Sequence, residues 1–533
     1  MASKASSNLP SPPVETANGG NRRLGITVFS GVRTTLAHHL RHLPCTILTH
    51  LSGTAANNLV DLFNRIARPS SSSGTQTPTS SFASKTGSSD ELSRQRQLNY
   101  IIPISDNGGS SSELIRFVGG PSVGDIRSRL VRLIPTTPSN LTSSSKETSS
   151  LRNLFEHRLS PDPIAARGQW ADIVESRSLL WAYIPNEKKE LIRSVLNILN
   201  AEIVKRARPP NVFNFAGASV GNMFLTGARL LTGSFEAGIY LLRMICEIGG
   251  WVRVLPAVNS NHTHHISAGW VNGETGERGV LTGQVAISHP SEPTSIPDEG
   301  LPPHHMGGGG MGRLLEVDDD EGNMPGSLPV LRRQNLKFSK EEEEDLPGGQ
   351  GTRIERVWYI NLYGHEIMPK ANPEVVKELR EGTEVVVYSV GSLYTSIVPS
   401  LILREVGEAI EKVGGIRKKV LILNSKLDRE TRGMDASGFI KAIWRACVES
   451  RRPEDVELLE WRRVVTHLVF IDPEMVEERE MRKDMPQVDV EFLEKLGIHC
   501  APVQGRAVGE GKARMMRYDE EELRETLERI IDM

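Results

Sequence analysis

The sequence predicts an α/β protein with a mostly parallel sheet covered on both faces. Continuous apolar runs such as Asn99–Ser105 and Lys419–Leu423 are typical of strands that are buried on both sides. An amphipathic pattern over Glu187–Arg206 predicts one of the helices that alternate with these strands. Alternating strands and helices favour βαβ units, and ligands of such folds bind beyond the carboxyl ends of the strands.

The remaining predicted elements continue this alternation along the chain. The predicted strands are Gly25–Gly31, Val252–Ala257, Gly279–Ile287, Val357–Leu362, Glu384–Ser389 and Val465–Ile471. The predicted helices are one opening within Gly53–Phe63, and Ser219–Ile248, Ile397–Val413 and Ala436–Cys447.

Low-complexity stretches interrupt the pattern. Only 38% of the 533 residues are hydrophobic, so a large share of the chain is expected to lie outside any packed core. Acidic runs at 318–320 and 341–344 are interpreted as solvated charge rather than as a metal site. We predict a disordered tail over residues 1–22 and a single α/β domain over 23–533, with inserts at 32–52, 69–98, 136–150 and 289–350.

The segment 32–52 separates a strand from a helix that would otherwise be joined by a short glycine turn. Without it the chain reads ITVFSG-GTAANNLVDLF, an arrangement that surrounds a phosphate with backbone N–H groups. We hypothesise that this segment is a translated intron; the alternative is a long loop or an extra helix. Uninterrupted coding support in an alignment of transcript and genomic DNA would rule the intron out.

Charge and cysteine content exclude several classes of protein. The net charge is −3, without the basic character typical of a nucleic-acid-binding protein. The four cysteines form no CxxC pair, which argues against a zinc site or a disulfide framework. Neither a signal peptide nor a membrane span is recognisable. We therefore expect a cytoplasmic protein without nucleic-acid or membrane partners, and a homo-oligomer is compatible with the sequence.

Glycine, serine and asparagine cluster where predicted strands give way to turns or helices. Glycine lets the backbone approach an anion closely, while hydroxyl and N–H groups donate hydrogen bonds to it. One such loop alone would be an ordinary turn or cap, but five together predict a phosphate site. The five loops are Ser30-Gly31 joined to Gly53-Thr54, Ser105–Ser111, Gly124–Arg127, Gly217–Asn222 and Val390–Ser396.

Two charged side chains in these loops are candidates for chemistry. Asp106 directly follows a buried strand, where a carboxylate can meet Mg²⁺ or a substrate hydroxyl. The alternative is an Asx turn or a helix cap. Arg127 is a candidate for bidentate phosphate binding, and the alternative is a structural ion pair with Asp125.

The segment Gly217–Gly221 also matches the nucleophile elbow of serine hydrolases. That turn requires a buried strand before it, and residues 213–216 are a poor strand. The histidines at 262, 264 and 265 follow too soon to complete a triad. We interpret them as part of a polar loop rather than as a catalytic or metal site.

Taken together, the motifs resemble those of the CofD-like family. The motifs SGGTAxN (split by the insert), SDNGGSS, GDIRSRL, ASVGN, LPAVN, VGSLYTSIVP and VLILNSK occur here in that family's order. The resemblance implies a Rossmann-like three-layer fold. It also implies one of two functions. One branch transfers phospholactate from a guanosine diphosphate-linked donor to a deazaflavin hydroxyl with Mg²⁺. The other, YvcK-type branch is similar to regulatory proteins that bind UDP-sugars.

Some positions depart from the YvcK-type pattern, which carries two aspartates at Asp106-Asn107 and often histidine at Ala218. From the resemblance we expect a GDP- or UDP-linked ligand, with Asp106 as the catalytic and metal-binding residue. A non-catalytic UDP-sugar sensor is the alternative. The expected ligand-binding residues are Ser30, Gly31, Gly53, Thr54, Asn57, Asn107, Gly108, Gly109, Ser110, Asp125, Arg127, Ser219, Gly221, Asn222, Asn259, Gly391, Ser392, Tyr394, Ser396 and Asn424.

Overall fold

The structure is a computed structural model of the chain. It describes residues 25–29, 59–67, 96–105, 108–135, 143–209, 211–288, 346–361, 363–412, 415–451, 460–476, 479–509 and 514–532. The strands are β1 (Gly25–Phe29), β2 (Gln97–Ile102), β3 (Val252–Pro256), β4 (His265–Asn272), β5 (Arg278–Thr282), β6 (Thr352–Ile360), β7 (Glu366–Ile367), β8 (Thr383–Tyr388), β9 (Lys418–Ile422), β10 (His467–Ile471), β11 (His499–Val503), β12 (Gly505–Val508) and β13 (Met515–Tyr518).

Helices connect these strands. They are α1 (Val60–Ala67), α2 (Gly109–Val118), α3 (Gly124–Arg132), α4 (Ser143–Glu156), α5 (Pro163–Val174), α6 (Asn186–Arg206), α7 (Val220–Thr232), α8 (Phe235–Ile245), α9 (Gln284–Ser288), α10 (Pro373–Lys377), α11 (Val398–Leu401), α12 (Val406–Glu411), α13 (Ala436–Glu449), α14 (Arg479–Lys483), α15 (Val490–Lys495) and α16 (Glu520–Asp532). Single turns of π-type helix occupy Glu378–Gly382 and Leu393–Ile397, and 3₁₀ turns occupy Leu179–Trp181, Trp461–Arg463 and Pro473–Met475.

The predicted parallel sheet is confirmed. Seven strands pair in the order β11-β10-β9-β8-β1-β2-β3, and every pairing between them is parallel. All five residues of β10 are buried, as the apolar run HLVFI predicts for a strand covered on both faces. The chain builds outward from β1 to β3 on one side and from β8 to β11 on the other. The strand order therefore reverses between β1 and β8.

A second sheet was not predicted. Strands β4 to β7 form an antiparallel sheet in the order β5-β4-β6-β7, separate from the parallel one. The predicted strand Gly279–Ile287 was too long: β5 ends at Thr282, Gly283 takes φ +88°, and α9 follows. His265, which we assigned to a polar loop, is instead the first residue of β4 and is buried.

The predicted helix Ser219–Ile248 was wrong, because this segment forms two separate helices, α7 and α8. Helix α7 ends at Gly233, which adopts a left-handed conformation with φ 70°. Ser234 then begins α8, and its hydroxyl accepts a hydrogen bond from the Ala237 amide. A glycine after one helix and a serine cap before the next are recognised stop and start signals.

The predicted helix Ile397–Val413 was also wrong in its continuity. It divides into α11 and α12, and Glu405 between them has φ 74°, a conformation unfavourable for a side chain with a Cβ atom. The predicted helices Glu187–Arg206 and Ala436–Cys447 are confirmed as α6 and α13.

The predicted inserts and tail are mostly outside the described residues. Residues 1–22, 32–52, 69–95 and 289–345 belong to that group. Within the rest, the predicted spacer 136–150 overlaps α4, which begins at Ser143, and the predicted insert 69–98 overlaps the start of β2. No helix in the described ranges is long and apolar enough to cross a membrane.

His265 should make stability depend on pH. Burial, and next the charge of His264, lower the pKa of His265 to about 4. The folded pKa lies below the unfolded one, so its stabilising contribution is present above pH 6.5 and is lost as pH falls towards 4. We expect the free energy of unfolding to fall by on the order of 3 kcal/mol across that window, and by less in His265→Phe.

Urea unfolding at pH 7.5 and pH 4.5 measures this difference. The exposed His365 provides the matched control, because His365→Phe should keep the wild-type pH dependence. An equal loss in His265→Phe and wild type would contradict the role assigned to His265.

Candidate functional site

The candidate site is the carboxyl edge of the parallel sheet around β1. Strands β2 and β8 are the two neighbours of β1, and they lead into the predicted loops Ser105–Ser111 and Val390–Ser396. Helix α2 begins at Gly109, directly after the first of these loops. Because the carboxyl ends of parallel strands share one edge, both loops lie on the same side of the sheet.

On the β2 side, three predicted motifs meet through side chains. The Asn222 side chain donates from Nδ2 to the Ser110 hydroxyl (2.9 Å) and accepts at Oδ1 from Arg127 Nε (3.0 Å). All three side chains are buried. Because arginine can only donate, the Asn222 oxygen must face Arg127 and its NH₂ group must face Ser110. We call this set the Ser110–Asn222–Arg127 chain.

Gly221 makes this arrangement possible. A Cβ atom at this position would stand 2.5 Å from the Phe155 carbonyl oxygen and 2.7 Å from Arg127 Cγ. Helix α7 therefore approaches α4 and the stem of Arg127 more closely than any residue with a side chain permits. The glycine in ASVGN serves helix packing next to the Ser110–Asn222–Arg127 chain.

A buried ion pair anchors the segment that leads into α7. Glu113 and Arg116 of α2 are joined at 2.7 and 2.8 Å, and both are almost fully buried. Arg116 also donates to Asn211 Oδ1, and Glu113 accepts from the Asn214 amide at 2.7 Å. Charged groups at this depth are stable only when they are paired in this way. The pair fixes residues 211–214 against α2.

On the β8 side, the predicted glycine loop is bonded to the loop after β9. The Gly391 amide donates to Asn424 Oδ1 (3.1 Å), and Asn424 Nδ2 donates back to the Gly391 carbonyl (3.0 Å). This reciprocal pair holds two predicted site residues together and uses both ends of the Asn424 side chain.

Glu430 closes the turn that follows. Its carboxylate accepts from the Tyr394 amide (2.9 Å), the Thr395 amide (3.1 Å) and the Thr395 hydroxyl (2.6 Å). Burial, and next the charge of Asp428, raise the pKa of Glu430 above its ordinary range. Asp428 in turn accepts from the backbone and hydroxyl of Thr431. The donor groups of the first turn after β8 therefore donate their hydrogen bonds to a buried carboxylate.

Two tyrosines attach this turn to the antiparallel sheet. The Tyr394 hydroxyl donates to the Ile354 carbonyl of β6 (3.2 Å), and the Tyr359 hydroxyl of β6 donates to the Pro399 carbonyl (3.0 Å). Burial raises the pKa of both phenols. The predicted ligand residue Tyr394 therefore has a structural partner in the second sheet.

The other predicted residues occupy several positions. Asn259 follows β3, is exposed and donates to Glu236 Oε2 (2.7 Å). Asp125 lies in the first turn of α3. Ser219 precedes α7 without a side-chain cap bond, and its buried hydroxyl has no hydrogen-bond partner among the described residues. Ser396 is buried, and its amide donates to the Ser392 carbonyl.

Part of the predicted site lies outside the described residues, including the catalytic candidate Asp106. Within the described ranges, no three histidine, cysteine, aspartate or glutamate side chains meet as a metal site would require. The other predicted residues outside those ranges are Ser30, Gly31, Gly53, Thr54, Asn57 and Asn107.

Sequence reasoning missed Glu430, Glu113 and Arg116. Glu430 lies in the polar run LDRET, which looks like a solvated turn, and its partners are 35 and 36 residues earlier. Glu113 and Arg116 are spaced three apart on α2, a usable signal for an ion pair. Their depth in the fold is not visible in that spacing.

Comparisons with known proteins agree with the motif resemblance. A family model described as 2-phospho-L-lactate transferase CofD matches residues 74–504. An uncharacterized protein of Saccharomyces cerevisiae is 36% identical over 470 residues, covering 84% of this chain and 93% of that protein. A gluconeogenesis factor of Halalkalibacterium halodurans is 23% identical over 357 residues, covering 66% of each. A UPF0052-family structure from Bacillus halodurans aligns at 20% identity and TM-score 0.46, covering 81% of this chain and 91% of that one.

Proposed function

Because this chain belongs to the CofD family, we propose that it binds a small molecule linked to a nucleotide diphosphate. In this proposal the ligand lies at the carboxyl edge of the parallel sheet, between the loops after β2 and β8. The reversal of strand order at β1 and β8 supports this, because doubly wound, Rossmann-like sheets bind nucleotides at such a point. We extend the proposal to the three-layer arrangement typical of those sheets.

The observation that carries the proposal is the Ser110–Asn222–Arg127 chain. Its members come from three motifs that are far apart in sequence, and they meet next to the loop after β2. Arginine and hydroxyl donors suit a phosphate group, which offers only acceptors at neutral pH.

Two activities are compatible with such a ligand. In a phospholactyl transfer, an acceptor hydroxyl oxygen bonds to the phosphorus of the phospholactyl group as the phosphoanhydride of the donor breaks. The guanosine monophosphate half of the donor leaves with the bridging oxygen, and the hydroxyl proton passes to a base or to solvent. Such sites work mainly by positioning the reactants and neutralising charge. We propose Asp106 as the group that would orient the hydroxyl or hold Mg²⁺.

A non-catalytic regulator is the second candidate. The presence of Asn107 beside Asp106 favours it, because a hard divalent cation prefers anionic oxygen ligands. The relative from Halalkalibacterium halodurans is also called a gluconeogenesis factor. In this version the same loops bind a UDP-sugar and another surface contacts a partner.

A ligand that binds the folded state should raise the melting temperature. At one hundred times Kd the expected stabilisation is about 2.7 kcal/mol. A thermal-shift series with UDP-linked sugars, GDP-linked sugars and unlinked hexoses as controls measures this, followed by calorimetry on any compound that shifts the melting point. Equal, negligible shifts with all of them would contradict nucleotide binding.

Activity is tested separately. Purified protein is incubated with a deazaflavin acceptor, a GDP-linked phospholactyl donor and Mg²⁺, and product is measured by chromatography. Product formation that is lost in Asp106→Asn supports the transferase. Absence of product together with micromolar binding of a UDP-sugar supports the regulator.

A further inference from the structure

Helix α6 carries apolar side chains on two opposite faces. Its inner face packs against the fold through residues that are all buried: Ile192, Val195, Leu196, Leu199 and Ile203. On the solvent side, Leu191 is 40% exposed and Ile198, seven residues later, is 39% exposed. The small residues Ser194 and Ala201 are exposed on this side as well. A surface helix ordinarily has a polar outer face, so an apolar outer face marks a contact surface.

A charged residue stands at each end of this outer stripe. Glu187 lies one turn before Leu191, and Lys205 lies one turn after Ala201. Both charged residues are exposed. The residues of the stripe are spaced alternately by four and three positions, which is the spacing of a seam between two paired helices. We call them the α6 seam: Glu187, Leu191, Ser194, Ile198, Ala201 and Lys205.

The α6 seam is complementary to itself when one copy is turned end for end. Pairing about the midpoint of the seam places Glu187 of each copy opposite Lys205 of the other. The same arrangement places Leu191 opposite Ala201 and Ile198 opposite Ser194, so each large side chain meets a small one. A parallel arrangement would instead set every residue against its own copy, and like charges would then meet at both ends. The order of the residues therefore favours antiparallel pairing.

The length of the seam suits a reversible contact. From Glu187 to Lys205 it spans roughly 27 Å, because each residue of an α-helix advances by about 1.5 Å. Further exposed apolar side chains lie near its two ends in the chain, with Val204 at one end and Tyr183 and Leu179 before the other. A contact made by one helix and its flanks lies at the low end of specific interface areas, which favours a dimer that dissociates on dilution.

We propose that the α6 seam joins two copies of this chain in a reversible homodimer. The two helices pair antiparallel about a two-fold axis at the level of Leu196, with Glu187 and Lys205 in contact at both ends. The charges argue for a second copy as the partner, because the seam itself carries both the acidic and the basic residue that its partner requires. This inference does not depend on the proposed ligand, since it rests on α6 and not on the loops after β2 and β8.

Sedimentation velocity of the full chain over a range of concentrations measures the dimer. We expect the wild type to pass from monomer to dimer as its concentration rises. Ile198→Glu places a carboxylate in the apolar centre of the contact and should raise the dimer dissociation constant at least about tenfold. Val490→Glu, at an apolar residue of α15 that is 38% exposed, is the matched control and should leave the constant unchanged. A wild-type chain that stays monomeric, or a dimer that Ile198→Glu leaves intact, would overturn the inference.

A charge exchange tests the orientation of the two helices. Glu187→Lys and Lys205→Glu should each weaken the dimer, roughly several-fold, because each variant sets like charges against one another. The double variant restores opposite charges and should return to within about threefold of wild type. Within one chain Lys205 is paired with Glu202, which the double variant leaves unmatched, so recovery reports a contact between chains. A double variant as weak as the single ones would contradict antiparallel pairing.

Cysteine crosslinking gives an independent measurement of the register. Leu191→Cys and Ala201→Cys are purified separately, and wild type is the control for the native cysteines. On oxidation, the mixture of the two variants should form a disulfide-linked dimer, whereas neither variant should do so by itself, because neither position faces its own copy. Crosslinking of either variant by itself, beyond the wild-type level, would indicate a parallel contact and overturn the proposed pairing. Melting temperatures confirm that the variants compared are folded.

Discussion

Replacing Arg116 with methionine is expected to lower the free energy of unfolding by about 3 to 5 kcal/mol. The substitution keeps the apolar stem but leaves the carboxylate of Glu113 buried without its cation. It also removes the hydrogen bonds to Asn211 and to the Val212 carbonyl. A lone buried charge is far more costly than either a complete pair or an apolar replacement.

The double variant Glu113→Gln/Arg116→Met checks this reason. It removes the stranded charge, so part of the lost stability should return relative to Arg116→Met. The exposed pair Lys495–Glu491 is the control, since Lys495→Met should change the free energy of unfolding by at most about 0.5 kcal/mol. Urea unfolding of the four proteins measures the effects, and a double variant less stable than Arg116→Met would contradict the explanation.

Functional consequences should accompany the loss of stability. The ion pair holds residues 211–214, which lead directly into the motif containing Asn222. If Arg116→Met is folded, we expect it to bind nucleotide ligands more weakly than wild type even though Arg116 itself is not a ligand residue. Binding of unchanged affinity would show that the segment 211–214 and the Ser110–Asn222–Arg127 chain are independent.

The sequence predicted the parallel sheet well because buried strands have a strong local signal. The strand patterns around Asn99 and Val420 are uninterrupted apolar runs, and both are confirmed as buried strands. The antiparallel sheet was predicted only in part: β5 and β6 overlap predicted strands, whereas β4 has no such signal. Its strand β4 begins with His265 and contains Ser267, and both are buried by the rest of the fold rather than by their own chemistry. The burial of His265 and Ser267 is therefore determined by tertiary packing and not by local sequence.

At the candidate site, the sequence indicated loops after β2 and β8 but not the hydrogen bonds that these loops make. Glycine and serine after a strand indicate a turn, and Ser110 lies in such a position, but its side chain is buried against Asn222. At Gly391 the same signal is present, yet the amide donates to Asn424, which is 33 residues away. Which donors remain for a ligand depends on such long-range partners. No local pattern distinguishes a turn satisfied by a ligand from one satisfied by the protein itself.

Gly221→Ala is the second substitution with a large expected effect. The added Cβ would lie 2.5 Å from a backbone oxygen of α4, which cannot move aside as a flexible side chain could. Gly221 lies inside α7 and needs no positive φ, so only the lack of space opposes a side chain. We expect the free energy of unfolding to fall by about 3 kcal/mol, the upper range for overpacked cores.

Gly168→Ala is the matched control, because it also adds one methyl group to a helical glycine. Nothing lies within 4 Å of a Cβ atom at Gly168, so the gain in helix propensity should raise the free energy of unfolding by up to about 1 kcal/mol. If Gly221→Ala lowers the free energy of unfolding and Gly168→Ala raises it, the loss at Gly221 is due to the contact with Phe155 and Arg127. Because that contact also fixes the stem of Arg127, folded Gly221→Ala should bind the nucleotide-linked ligand of the proposed function more weakly, while Gly168→Ala should bind it as wild type does. A stabilising Gly221→Ala would mean that α7 can move away from α4, and the close approach would then not be what orients Arg127.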